Sequence, residues 1–333
     1  CEKKIMTLTN FKTLSMNYSH LVLLSTFVVF SCAKKAVIPD TSAQVVKKIY
    51  ATNEFVMGAD LSYANGVEDG GGVFKVNGKT NDVFRIFKEA GTNLVRVRLW
   101  HSPEYWQKDL NKGKIYSNLS DVEKTIRRTK EAGMAVLLDI HYADSWADPS
   151  KQPVPKAWEG LPLAILKDSV YNYTTTVLAY LEKKQLTPEY IQIGNEMNNG
   201  TMFPVGKIEN NDFANFAILL KSGIKAVRDF SVKSGIKPKI ILHVAQYQTA
   251  DWWLNGLINT QQLTDFDIVG VSHYFNYSDL KTMAEVENTT KQLIGKYKKP
   301  LMVVETAFHW TNQNADSYSN IVSVDNFGGY GVS

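Results

Sequence analysis

Short apolar runs rich in Val, Ile and Leu recur along the chain, and most give way to polar residues at their C-terminal ends. The runs at 56–60, 94–100, 135–141, 190–193, 239–243, 267–273 and 301–305 are too short and too β-branched for helices, so they read as strands. Between them the period changes. Residues 81–90 gather Val83, Phe84, Ile86 and Phe87 on one side, and Gly91 supplies a stop. Ser120 and Glu123 have the spacing of a capping box for a helix that Gly133 ends. Stretches 163–184, 211–230 and 279–297 read as further helices. Strands alternating with helices predict a parallel α/β sheet. Buried strands with polar tips favour a (β/α)8 TIM barrel over a doubly wound sheet. No Gly-x-Gly-x-x-Gly motif follows the first strand, which argues against dinucleotide binding, and the glycine-rich turn at 66–72 is a loop only. The residues after Glu305 are rich in Asn, Ser and Gly and hold no legible strand, so the barrel is expected to stop short of strand eight in this sequence.

The polar tips carry the candidate chemistry. Tyr190-Ile191-Gln192-Ile193 runs into Gly194-Asn195-Glu196, and Leu301-Met302-Val303-Val304 runs into Glu305. Ligands of a parallel barrel collect at the carboxyl ends of its strands. One such glutamate could be a solvated loop residue. Two on separate strands suggest a facing pair, which is what glycoside hydrolysis uses. Other strand ends contribute Asp60, Arg98, His141, His273 and Tyr274. Arg96 or Arg98 could equally be ion-paired structure, and His141 a core histidine. There is no His-Glu-x-x-His motif, and His141 with Asp144 and Asp148 makes a poor metal set, so no metal is assigned. A Ser-His-Asp hydrolase is disfavoured because no Gly-x-Ser-x-Gly elbow is present.

Composition changes this picture little. The net charge of +4 gives no reason to propose nucleic acid. Seven Trp and sixteen Tyr matter more, since aromatic faces stack on sugar rings, although most will be core. The two cysteines, Cys1 and Cys32, lie outside the body of the chain, which excludes a disulfide framework there. Residues 21–31 form an apolar core too short to span a bilayer, ending in Val29-Phe30-Ser31-Cys32. Residues 1–32 therefore read as a signal peptide with a lipobox-like end, 33–53 as a polar tether, and 54–333 as the catalytic domain. Export follows in either case, with Cys32 lipidated at a bacterial cell surface or the leader simply cleaved.

The motifs together resemble glycoside hydrolase family 53, the endo-β-1,4-galactanases, within a clan of retaining (β/α)8 enzymes. The matching runs are Gly58-Ala59-Asp60-Leu61-Ser62, Val95-Arg96-Val97-Arg98-Leu99-Trp100, 139–149 with its distinctive Trp146-Ala147-Asp148-Pro149, Gly194-Asn195-Glu196 and Val303-Val304-Glu305-Thr306-Ala307. The resemblance implies Glu196 as acid/base and Glu305 as nucleophile. It implies Asn195 as a contact for the sugar 2-hydroxyl and Tyr274 as a neighbour of the nucleophile. Asp60, Arg98, His141, Trp146 and His273 complete the expected substrate-binding set, with Arg98 expected to keep Glu305 ionised. The implied substrate is β-1,4-galactan, cleaved by a monomer without a cofactor. A calcium site beyond the last residue stays open. The chain departs from the family at His273-Tyr274-Phe275, at Phe308-His309 and at Phe203, which bears on subsite detail. The family's strand-eight Trp-Glu-Pro segment has no counterpart. The alternatives are a retaining enzyme for mannan or xylan, and a surface glycan-binding lipoprotein without turnover.

Overall fold

The computed structural model describes residues 55–307. The leader and Cys32, the tether, Phe308-His309 and any strand-eight or calcium region lie outside those residues.

Seven parallel strands form the sheet: β1 (Gly58–Asp60), β2 (Leu94–Leu99), β3 (Ala135–Ile140), β4 (Tyr190–Ile193), β5 (Lys239–Ala245), β6 (Ile268–Ser272) and β7 (Leu301–Glu305). They pair in sequence order, as in Val97 opposite Leu138, Ile140 opposite Ile193 and Val269 opposite Leu242. A doubly wound sheet would reverse its order at a switch point, and this one does not. Its curvature shows in one ion pair. Arg96 on β2 reaches Glu305 on β7 at 2.7 Å, although five strand spacings in a flat sheet would separate them by about 24 Å. The sheet therefore curls into a barrel.

Alternation along each strand sorts the side chains. Val97, Leu99, Val136, Leu138, Ile140, Ile191 and Ile193 face outward and share one large core with the helices. Leu94, Ala135, Leu137, Tyr190 and Ile241 form a separate apolar cluster inside the barrel. One layer further along, the same inward face turns polar, with Arg96, Asp139, Gln192 and His243 all buried. The barrel floor is thus dry and its C-terminal end carries charge.

Besides short helices at Ala64–Asp69 and Glu104–Leu110, the α-helices among the described residues are α1 (Val83–Glu89), α2 (Leu119–Glu131), α3 (Leu163–Lys183), α4 (Ala214–Ser234), α5 (Tyr247–Leu254) and α6 (Met283–Tyr297). The capping box expected at Ser120 and Glu123 is not there. Asn118 caps α2, accepting from the Asp121 N–H at 3.0 Å, while the Glu123 carboxylate faces Tyr180, Arg127 and Lys184. A true capping box joins Thr282 and Glu285 at the start of α6. Helix α4 starts later and runs further than the sequence suggested, to Gly235, whose φ of 72° ends it. Helix α5 has too short a period to stand out in the sequence.

Candidate active site

Glu196 leaves β4 on a distorted turn. Gly194 has φ 79° and Glu196 has φ 45°. A side chain at 194 would press its Cβ to 2.2 Å from Met197 Sδ, so only glycine fits. Gln152 pins the turn by donating to the Asn195 and Glu196 carbonyls at 2.8 and 3.2 Å.

Glu305 ends β7, where the pairing with β6 slips. Val271 stands opposite Val303 and the next residue, Ser272, opposite Glu305. Met302 and Val304 pack on the barrel's inner cluster, so strict alternation would send Glu305 outward. The bulge re-aims it inward. There Arg96 meets it at 2.7 Å and the Tyr274 hydroxyl donates to it at 3.1 Å.

One oxygen of Glu196 and one of Glu305 lie within 4.8 Å of each other, with a His243 nitrogen within the same distance. Burial pushes the Glu196 carboxyl up to about 7, and the Glu305 charge adds to it, against the Ser272 hydroxyl and Arg96. Burial also works to raise Glu305. The Arg96 charge, with a hydrogen bond from Tyr274, outweighs it and holds Glu305 below the usual carboxylate range. Burial likewise lowers His243, to about 4, so that ring is neutral near pH 7. Below about pH 7 the two neighbouring carboxyls thus differ in charge: Glu196 holds its proton and Glu305 has lost it.

Arg96 is the hub. It also pairs with Asp139 at 2.7 Å and Asp60 at 3.2 Å, and donates to Asn195 Oδ1 at 2.7 Å. Arg98 is not beside Glu305, contrary to expectation. It lies two residues further along the same strand face, about 6.6 Å higher in the barrel. Its guanidinium is buried, 3.9 Å from the Trp146 ring centroid and below 5 Å from those of Tyr63 and Trp100. Arg96, set aside in the sequence as a structural alternative, does the electrostatic work there.

The other candidates divide. Asn195 is buried, with Nδ2 donating to the Ala147 carbonyl at 2.8 Å. His141 is also buried, with Nε2 3.0 Å from Asp139. His273 is buried with its ring edge-on to Tyr247, and its backbone N–H donates to the Glu305 backbone carbonyl at 2.8 Å. Asp60 and Trp146 are exposed at the rim. Tyr63, exposed and 6.3 Å from Trp146 between ring centroids, was not singled out in the sequence. Gln192, Asp139, His243 and Ser272 were missed as well. Their one available signal is a polar residue on the inward face near the end of an otherwise apolar strand.

Glu196, His243 and Glu305 could converge on a cation by distance alone. Such an ion would have to compete with Arg96 for Glu305 and break the hydrogen bonds at whichever His243 nitrogen it took, Nδ1 or Nε2. The donor set suits proton and charge control better than metal ligation.

A family model described as glycosyl hydrolase family 53 matches residues 56–332. Arabinogalactan endo-beta-1,4-galactanase of Cellvibrio japonicus is 40% identical over 276 residues, which cover 80% of this chain and 69% of that protein. A probable arabinogalactan endo-beta-1,4-galactanase A of Aspergillus tubingensis is 34% identical, covering 75% of this chain and 69% of that one. Among solved structures, the Ignisphaera aggregans GH53 catalytic domain superposes with a TM-score of 0.75 at 35% identity, covering 84% of this chain and 76% of that one. A structure described under two fungal beta-1,4-galactanases gives a TM-score of 0.70 at 31% identity, covering 78% of this chain and 76% of that one.

Proposed function

The chain belongs to glycosyl hydrolase family 53, and on that premise we propose that it cleaves β-1,4-galactosidic bonds within galactan and type I arabinogalactan, by a retaining double displacement. One observation carries the chemistry: Glu196 and Glu305 approach within 4.8 Å while their proton affinities are driven apart. Retaining enzymes hold their carboxyl groups about 5–5.5 Å apart, and inverting ones leave room for a water at about 6.5–9.5 Å.

Glu305, ionised beside Arg96, attacks the anomeric carbon. Glu196 gives its proton to the leaving glycosidic oxygen. The covalent bond to Glu305 removes the negative charge that had helped to raise Glu196, so Glu196 becomes a better resting place for charge. It then takes a proton from water as that water attacks, and Glu305 leaves with retention. Asn195 gives one amide hydrogen to Ala147 and has a second for the sugar 2-hydroxyl. Trp146 and Tyr63 form an aromatic rim on which sugar faces can stack. Asp60 sits at the same rim. Arg98 backs the Trp146 ring, His141 holds the buried Asp139 that pairs with Arg96, and the His273 backbone N–H ties the end of β7 at Glu305.

The leader suggests the setting. Residues 1–32 are read as an export signal and Cys32 as a lipid-anchored first residue at the cell surface, with the enzyme working as a monomer. Lipidated Cys32 in the membrane fraction, seen by mass spectrometry, supports this, and a soluble mature chain starting after Cys32 overturns it. Substrate is tested by incubating the protein with galactan, mannan, xylan and cellulose and following product anomers by NMR. β-Configured galacto-oligosaccharides from galactan are expected. Release from mannan or xylan at the galactan rate, or initial α-products, would overturn the assignment.

A further inference from the structure

Glu196 is enclosed in a closed circuit of hydrogen bonds that the double displacement does not by itself require. His243, fully buried on β5, sets its direction. The Glu196 backbone N–H points at His243 Nδ1, 3.2 Å away. Gln192 Nε2, a second donor, is 3.1 Å from Nδ1, while Asn195 Oδ1, also 3.1 Å away, already accepts from Arg96 and Gln192. Two donors therefore face Nδ1, so it accepts and the ring hydrogen of the neutral imidazole sits on Nε2. Nε2 faces Ser272 Oγ at 2.9 Å and donates to it. The Ser272 hydroxyl then has one hydrogen left to give, and Glu196 Oε1 lies 2.6 Å away. The circuit starts at the backbone of Glu196 and returns to its carboxyl.

We propose that His243 and Ser272 are positioning residues that direct the acid proton of Glu196 to Oε2. Were that proton on Oε1, it and the His243 N–H would both point at Ser272 Oγ, and the serine hydrogen would lose its acceptor. With the proton on Oε2, every donor in the circuit has a partner, and the oxygen left outside the circuit is the one that protonates the glycosidic oxygen. This placement matters only if Glu196 is the acid, as proposed above. It also gives the carboxylate a ready donor once the proton has left. The charged groups acting on Glu196 are Glu305 from β7, Arg96 from β2 and Asp148 from the loop after β3. Those acting on His243 are Glu305, Arg96, Asp139 and His141. None of them supplies a donor to Oε1.

The test pairs two substrates. Galactan has a poor leaving group that needs the proton, whereas a 2,4-dinitrophenyl β-galactobioside departs without it. Ser272→Ala removes one atom, and His243→Leu breaks the circuit with a larger change. Both are expected to lower kcat on galactan about 10- to 100-fold, part of what a general acid supplies, with KM little changed. On the aryl substrate, kcat/KM should stay within about threefold of wild type, since no proton is required. In Ser272→Ala the basic limb of the galactan kcat/KM profile should move to higher pH, because the carboxylate loses a donor. His243→Gln, whose amide can reach Ser272, should recover part of the loss. Equal losses on both substrates, or an unmoved basic limb, would overturn the proposal and leave the pair a structural role. Glu196→Ala is measured alongside. If it keeps galactan activity, or loses both substrates equally, the acid assignment itself fails and the positioning claim fails with it.

Discussion

Arg96 Nη2 lies 2.7 Å from Glu305 Oε1 and 2.7 Å from Asp139 Oδ2, so one buried cation on β2 reaches both the adjacent β3 and β7, five positions away in the sheet. The pair does two jobs. It ties β7 to β2 across the barrel, and it holds the expected nucleophile ionised.

Removing that cation should therefore show in both stability and pH dependence. Arg96→Met leaves Asp139 and Glu305 buried without their partner, and breaking a buried pair this way costs about 3–5 kcal/mol. Arg96→Lys keeps the charge but loses the fork that serves several acceptors at once. It should fold and still show the acid limb of kcat/KM moved to higher pH, since Glu305 loses part of what lowers its pKa. Chemical denaturation and a pH profile check both. An unmoved acid limb in Arg96→Lys would mean that the guanidinium geometry does not tune Glu305.

Glu305→Ala should lower galactan turnover by about 10³-fold or more without unfolding the chain. Azide can enter the space left by the carboxylate and attack the same carbon. The expected product is an α-galactosyl azide, detectable by NMR. Turnover near wild type in the variant would remove Glu305 from the mechanism.

Glu196 should be a site where activity is held at the expense of stability. Its folded pKa, about 7, is above the ordinary 4.5. Between those values the folded state binds more protons than the unfolded one, so stability falls as pH rises from about 4.5 to 7. The full effect is of order 3 kcal/mol. Glu196→Gln carries no charge and escapes it. It should be more stable than wild type at pH 8, with the gain gone at pH 4. Asp139 and Glu305, both depressed, act in the opposite sense: their contribution is full above the ordinary carboxylate range and is lost as pH falls through their folded values. Urea titrations at pH 4, 6 and 8 decide it, and equal gains at all three would contradict the buried-charge account.

Much of this site was legible because strand ends announce themselves. Glu196, Asn195, Tyr274 and Glu305 each follow an apolar run, and the barrel brings those ends together. What was not legible depends on register and on layers. Arg96 and Arg98 share one strand face, and nothing in the sequence says which of the two meets the β7 carboxylate. The bulge that turns Glu305 inward has no marker in Val303-Val304-Glu305. His243 and Ser272 sit inside runs that read as ordinary strand, because a polar residue within a barrel strand is visible only once the inward face is known. Asn118 was passed over for Ser120, as both are good caps and only the backbone decides which one precedes the first turn.

Trp146 should act mainly on binding. Its ring is exposed on one side and stacked over the Arg98 guanidinium on the other. Trp146→Ala removes a stacking face and uncovers a buried cation, while both glutamates stay in place. The expected result is a KM for galactan raised about tenfold with kcat changed less than threefold, the loss of a contact worth about 1–1.5 kcal/mol. Steady-state kinetics separates the two parameters. A fall in kcat with KM unchanged would place Trp146 in the transition state rather than at the rim.

Gly194 and Gly235 offer a controlled comparison of backbone strain near and far from the chemistry. Both have positive φ, 79° and 72°. A Cβ at 235 meets nothing within 4 Å, so Gly235→Ala should cost only the conformational penalty, about 1 kcal/mol, and leave activity intact. At 194 the same Cβ would reach 2.2 Å from Met197 Sδ. Met197 is fully buried and its N–H is bonded to the His243 carbonyl at 3.0 Å, so it cannot give way without moving the turn that carries Glu196. Displacing an acid by about 1 Å costs on the order of 10²-fold in rate. Gly194→Ala should therefore lose at least that much kcat at a stability cost of about 1–3 kcal/mol. Melting curves and galactan turnover of the two variants, measured together, give the answer. If Gly194→Ala is no less active than Gly235→Ala, the turn at 194 is a general feature of the strand exit and does not hold Glu196 in its working position.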